Sequence, residues 1–394
     1  MAREIRAVDF AKTLAPPAWE ALLADVDAVV NLVGIFTEAP GVSFETIQRS
    51  TPEALFAACE SQGVRLLVQF SALGANASAA EPFLRTKYDA DEALLARPLT
   101  AIVMQPSLVY GDDGASSNLF RTLAVLPVTV LPDGGKQSVQ PVHVDDVVGA
   151  VIAALRTPDG APHGQRAALV GPEPLALREY LGTLRRQMGM AGTLSVLNLP
   201  LGVAMWLARF AQPLHSRLLS KDALQMLARG NTASAMAMTE LLDRPPRHPD
   251  RFIAPEMGEL LRVSAVHAWL SPLLRTSLAL LWIWTAIVSA WLYPVEDSIA
   301  LLARSGVPEP LRHAALYGAA ALDLVLGILS VSPRRPRWLW RAQIALILMY
   351  TGIISVRLPE FWLHPYGPLM KNLPILALIW LIDSMERRAW TTSR

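Results

Sequence analysis

Cysteine is almost missing from this chain. Cys59 is the single one among 394 residues, which excludes internal disulfides and any metal site built from several thiolates, and suits a reducing compartment. A surplus of charge is missing too. Lys and Arg number 35 against 34 Asp and Glu, a net +1, and no basic stripe with interleaved aromatics precedes residue 271, so nucleic acid is not expected as a partner. The opening residues MAREIRAVDF hold no long apolar core, so neither a signal peptide nor export of residues 1–270 is expected. No glycine-rich turn of the form G-x-G-x-x-G or G-x-x-G-x-x-G occurs anywhere. There is also no repeat of solenoid period.

What is present divides unevenly. Hydrophobic residues make up 52% and charged residues 18%, with the apolar excess concentrated after residue 271. Length predicts two or three domains: an α/β domain over 1–192, a small helical subdomain over 193–242, a linker rich in proline and charge over 243–270, and an all-α membrane domain over 271–394.

The first part alternates strand and helix patterns from its start. EIRAVDF reads as a short strand ending at Asp9, APPAWEALLADV as a helix, DAVVNLVGI as a buried strand, and TPEALFAACESQG as the next helix. The stretch Val64 to Lys87 organises the rest. Leu66, Leu67, Val68 and Phe70 suit a buried parallel strand, Ser71 stands at its end, and Pro82 opens a helix. Ser71 precedes position 83 by twelve residues and Lys87 follows it by four, so positions 83 and 87 share a helix face beneath the serine. LTAIVMQPSLVYG is a further strand with its exit loop. In QPVHVDDV, His143, Asp145 and Asp146 read as strand and helix-cap residues, and no metal site is expected.

SALGA, FLRTKYDADEALL, LTAIVMQPSLVYG and QPVHVDDV together resemble the atypical, NmrA-like branch of the short-chain dehydrogenase/reductases, with relatives of the nucleotide-binding accessory subunit of respiratory complex I nearest. The resemblance implies a Rossmann-like fold with Ser71 and Lys87 as the catalytic pair. It also implies a cofactor site holding Asp9, Asn31, Val33, Gly34, Ser71, Lys87, Pro106, Ser107 and Leu108. The cofactor would be NAD or NADP, NADPH being favoured, if the missing N-terminal part is present in the native protein. The family's general acid is a tyrosine at the position of Phe83, and phenylalanine has no proton to give; Tyr88 is rotated about 100° away. The first strands and the glycine-rich loop are also missing. Either the true start lies about 40 residues upstream, which is the expectation, or the chain is a degenerate relative.

Four apolar segments follow, at 276–293, 313–331, 338–357 and 365–383, each near the roughly 20 residues a bilayer requires. Arg334, Arg335, Arg337 and Arg341 in one loop, and Arg387, Arg388 and Arg394 in the tail, place both termini and the soluble domain in the cytosol at the inner membrane by the positive-inside rule. Asp323 falls mid-span, and His364, Lys371 and Asn372 sit among prolines at the entry to the fourth segment. Lys371 is expected to pair with Asp323. HPYGPLMKNLP, with YTGIISVRLPE before it, resembles the DoxX-like membrane family. The whole is then expected to be an α/β Rossmann-like domain followed by a four-helix transmembrane domain. Its expected function is that of a membrane-anchored NAD(P)-binding protein acting as an oxidoreductase on a lipophilic or quinone-like substrate. The alternative is a non-catalytic NAD(P)-binding sensor or assembly scaffold for a membrane redox complex. The lipid bilayer is the expected partner, with a quinone or a membrane redox complex beside it.

Overall fold

The structure, a computed structural model, describes residues 4–156, 164–211 and 221–391. Proline starts the early helices. Its fixed φ and missing N–H cost nothing in a first turn, and it opens α1 (Pro16–Leu23), α2 (Thr51–Ser61) and α3 (Pro82–Leu95). The apolar runs between them become the strands β1 (Ala28–Asn31), β2 (Leu66–Phe70) and β3 (Ala101–Pro106). Next come β4 (Val109–Tyr110), α4 (Ala115–Val125), β5 (Thr129–Pro132), β6 (Ser138–Val139), β7 (Val142–His143), α5 (Val144–Arg156), β8 (Gln165–Leu169), β9 (Leu175–Ala176) and α6 (Leu177–Gln187). The chain continues through β10 (Val196–Leu199), α7 (Leu201–Ala211), α8 (Lys221–Arg229) and α9 (Met236–Leu242).

The central sheet has the order β1-β2-β3-β8, and every pair is parallel. Successive side chains of a strand point to opposite faces, and this sheet buries both. Leu67 and Val103 pack beneath α1, α2 and α3 with Phe56 and Leu94, while Leu66, Val68, Ile102 and Met104 pack beneath α5 and α9 with Val147 and Met238. Two short pairings complete the unit: β5 runs parallel to β10, and β6 antiparallel to β9.

Three sequence expectations need correction here. EIRAVDF is no strand: residues 4–8 are exposed and irregular, and Asp9 opens a turn in which its carboxylate accepts from Ala11 N and pairs with Lys12. A strand needs a neighbour to saturate its backbone, and β1 ends the sheet on that side among the described residues. The stretch 243–270 is folded rather than a linker. Arg244 and the Arg247 amide bind the two oxygens of buried Asp146, Phe252 and Ile253 are core residues, and helix begins at Gly258. Finally, the fourth apolar helix starts later than expected.

The chain divides into units of residues 1–265 and 266–394. The second unit contains the rest of α10 (Gly258–Ile287), which ends in a wider π-turn at Val288–Leu292, and then α11 (Val295–Arg304), α12 (Arg312–Val331), α13 (Leu339–Arg357) and α14 (Asn372–Thr391). Among the described residues, three helical stretches are long and apolar enough to cross a membrane: Pro255–Leu292, Glu309–Val331 and Leu339–Arg357. Pro365, Gly367 and Pro368 hold residues 365–371 in turns, so α14 begins only at Asn372, and its apolar run reaches just to Asp383. Gly327 brings α12 against α10, since a Cβ there would lie 2.7 Å from Ile283 Cγ1 and 3.1 Å from the Ala279 carbonyl. Small residues allow such close approach between membrane helices.

Candidate functional site

Parallel strands point their carboxyl ends at one edge, and the exit loops there collect polar groups. Ser71 follows β2 directly and is buried. Its hydroxyl donates to Asp91 Oδ2 at 2.5 Å. Asp91 lies one helical turn beyond Lys87, and Phe83, Lys87 and Asp91 form one buried stripe along α3. Lys87 Nζ donates to the Phe70 carbonyl at 2.9 Å and stands 5.9 Å from the Phe83 ring. A Cβ on Gly34 would sit 3.5 Å from that amine, so the exit loop of β1 lies directly against Lys87.

Burial sets the electrostatics of the pair. It pulls the Lys87 ammonium down to about 8, against the opposing charge of Asp91. Burial likewise pushes the Asp91 carboxyl up to about 6, although the Ser71 hydrogen bond and the charges of Arg166 and Lys87 work the other way. Gln105 lies close to Asp91 without reaching good geometry, and its Nε2 and Asp91 Oδ1 each lack a hydrogen-bond partner.

The remaining sequence-predicted residues divide into groups. Asn31, at the end of β1, donates to Gln69 Oε1 at 2.7 Å and accepts from Val33 N at 3.2 Å, which shapes the exit loop leading to Gly34. The loop after β3 is pinned: Pro106 O accepts from Leu73 N, Ser107 Oγ donates to Gln140 O at 2.6 Å, and Leu108 O accepts from Val142 N. Asp9 is not brought to this edge by any strand. His143 accepts from Asp145 N and faces Arg247; burial, then that guanidinium, hold its pKa below the usual imidazole value.

Position 83 is occupied by packing. Phe83 stacks on Phe36 at 4.9 Å and meets Phe44 edge-on at 6.0 Å, with Met226 of α8 beside them. Buried Glu81 binds Arg229 at 2.8 and 2.7 Å, tying α8 to the start of α3. The wall beside Ser71 and Lys87 is therefore apolar and aromatic. The sequence reading missed Asp91 and this aromatic group. The spacing of four from Lys87 was the available signal for Asp91; Phe36 and Phe44 are distant in sequence and had none.

In the second unit, Asp323 is buried with its Oδ1 lacking a hydrogen-bond partner. Its expected ion pair with Lys371 is not formed among the described residues. Lys371 is exposed, because the turns before α14 hold it outside the packed helices. Asn372 instead donates to Thr351 Oγ1 at 2.8 Å, and His364 packs between Phe361 and Tyr366. A separate buried chain runs from Trp282 Nε1 to Gln343 Oε1 at 3.0 Å and from Gln343 Nε2 to Ser330 Oγ at 2.9 Å. Of the tail arginines used for topology, Arg394 and the side chains of Arg387 and Arg388 lie outside the described residues.

Residues 279–380 match the DoxX-like family. The C-terminal unit carries a DoxX-like domain. Ahead of the DoxX-like domain the similarities are of another kind. A stretch of 163 residues, 41% of this chain, is 34% identical to the mitochondrial NADH dehydrogenase (ubiquinone) 1 alpha subcomplex subunit 9 of Arabidopsis thaliana and covers 40% of it. Another of 145 residues, 36% of this chain, is 25% identical to the ceramide reductase of Caulobacter vibrioides and covers 45% of that protein. The chain thus spans less than half the length of these curated relatives. A nucleoside-diphosphate-sugar epimerase from Staphylococcus aureus superposes with a TM-score of 0.50 at 16% identity, over 65% of this chain and 82% of its own. That likeness establishes the Rossmann-like fold of the region before the DoxX-like domain.

Proposed function

We propose that the soluble unit holds the ribose and nicotinamide end of NAD(P) at the carboxyl edge of β1, β2 and β3, and that the DoxX-like domain keeps it at a bilayer, where it acts on a lipophilic or quinone-like substrate. The observation that carries this reading is the buried Lys87 amine, which lies at the strand ends against Gly34 and donates to the Phe70 carbonyl. A buried amine needs acceptors, and ribose hydroxyls would supply them. Val33 and Gly34 would leave room for the cofactor backbone, while Pro106, Ser107 and Leu108 would border the nicotinamide. The nicotinamide would supply or accept the hydride. Ser71, its proton committed to Asp91, would accept a hydrogen bond from the water that supplies the proton to the reduced oxygen. The aromatic wall of Phe36 and Phe83 suits an apolar ring or chain.

The test is nucleotide release from protein purified out of its native membrane, with the intact mass read on the same sample. Bound NAD(P)(H), lost on Lys87→Met, is the expected result. Wild-type protein that neither carries nucleotide nor binds added NADPH would overturn the reading.

A second reading has its own observation. Phe83 fills the position of the usual proton donor and is buried in an aromatic group, which favours a non-catalytic, nucleotide-responsive subunit or assembly factor of a membrane redox complex. The similarity to a respiratory-complex subunit supports the same view. NADPH binding without NADPH oxidation in quinone-containing membranes is its expected signature.

A further inference from the structure

One face of the soluble unit is apolar where nothing in the proposed cofactor site requires it. In the parallel pair β5 and β10, Leu197 is in register with Val130, so both side chains point to the same side, and Val128 lies two residues before Val130. Along α7, Val203, Trp206 and Leu207 follow at helical spacing. All six are between 44% and 58% exposed. The two surfaces are joined, because Leu201 N at the start of α7 donates to Asp133 Oδ1 in the turn after β5.

A basic cavity lies across β10 from this apolar side. A cavity of about 500 Å³ lies between α6 and the start of β10, lined by Arg178, Arg185 and Arg186 together with Leu194 and Val196. Its one carboxylate, Glu179, is spent on the amide of Ala176 at the N-terminus of α6. Arg185 is fixed by donating to the Ala124 carbonyl at 2.9 Å, and its buried Nε has no partner. Val196 lines the cavity and Leu197, the next residue of β10, points to the other side of the strand, so the two features meet along β10.

We propose that this face lies on an anionic bilayer, with the apolar side chains of β5, β10 and α7 at the boundary between headgroups and acyl chains and the arginines of the cavity on lipid phosphates. The occupant follows from the chain itself. The DoxX-like domain and its apolar helices keep the soluble unit tethered to a bilayer, so lipid is present at high effective concentration whatever else is bound. An exposed tryptophan among aliphatic residues, with guanidinium groups across β10, suits the interface chemically. This inference does not depend on the nucleotide reading.

The experiment uses the full chain in nanodiscs of phosphatidylcholine alone or mixed with phosphatidylglycerol, with some lipids brominated on their acyl chains. Leu197→Cys would carry an environment-sensitive fluorophore. Native Cys59 is buried, with its thiol pushed up to about 12, and does not compete for the label. Gln62→Cys, exposed in the turn just after α2, is the control. The expected result is quenching at position 197 but not at 62, several-fold stronger with phosphatidylglycerol and reduced by salt. Arg178→Glu with Arg186→Glu should return it to the phosphatidylcholine level. The salt titration needs no charge variant, so it holds even where the double substitution fails to fold. An unquenched label at 197 in both lipids overturns the proposal, as does quenching indifferent to phosphatidylglycerol and salt. Shielding that requires added membrane proteins overturns it in favour of a protein partner.

Discussion

The Ser71 hydroxyl donates to Asp91 across 2.5 Å, joining the end of β2 to the third turn of α3. The serine proton is therefore engaged with a fully buried carboxylate. Lys87, one turn earlier, shares the same buried volume, and the three residues act as one electrostatic group whose members titrate together.

Asp91 makes stability depend on pH. Its folded pKa, about 6, lies above the ordinary 3.8, so the folded state holds the proton more tightly than the unfolded one. The corresponding stability is fully present below the ordinary value and lost as pH rises through about 6. Asp91→Asn, neutral throughout, should gain on the wild type across that window by on the order of 2 kcal/mol. Thermal unfolding of both proteins at several pH values measures it, and parallel curves would count against a buried, ionising Asp91.

Lys87 titrates in the opposite sense. Its folded pKa of about 8 lies below the ordinary 10.5, so its share of stability is present above 10.5 and lost as pH falls through about 8. At neutral pH it is a buried cation that costs stability. Lys87→Met should therefore leave unfolding temperature unchanged or higher while weakening NADPH binding at least tenfold, about 1.4 kcal/mol or more. Wild-type affinity should fall above about pH 8, as the charge is lost. Fluorescence titration of NADPH reads both effects.

Phe83→Tyr places a phenol next to Lys87, whose Nζ is 5.9 Å from the ring. If a reductase reaction proceeds here without a side-chain acid, the new hydroxyl should raise NADPH oxidation by on the order of 100-fold. Equal rates, both above background, would show that position 83 plays no acid role. Two inactive proteins that still bind NADPH would support the sensor reading.

In the DoxX-like domain, two buried polar groups should respond differently. Asp323 has an oxygen without a partner and no ion pair with Lys371, so Asp323→Asn should be neutral or stabilising, by on the order of 1–3 kcal/mol. Gln343 links Trp282 to Ser330, and although Ser330 Oγ still donates to the Leu326 carbonyl, Gln343→Leu strands the buried Trp282 Nε1 and should cost about 1–3 kcal/mol. Unfolding in detergent micelles compares them.

The placement of three candidate residues was readable because it is local. Ser71, Phe83 and Lys87 are separated by a strand end and a few turns of one helix, and those spacings fix their relative placement. The failures were of two kinds. EIRAVDF has a strand's composition but no neighbour to pair with, and Lys371 has the charge to meet Asp323 but not the position, since Pro365, Gly367 and Pro368 keep it in a turn.

By itself the sequence determined the parallel sheet, the change to apolar helices after residue 271, and the lack of a tyrosine at position 83, because each is written in a short window of side-chain type and period. Only the tertiary structure decided that Ser71 is bound to Asp91, that Phe36 and Phe44 close around Phe83, that residues 243–265 pack into the first unit, and that Leu197 and Trp206 remain exposed. Those outcomes depend on which distant segments meet, and burial, which sets the charge of Lys87 and Asp91, exists only once they have.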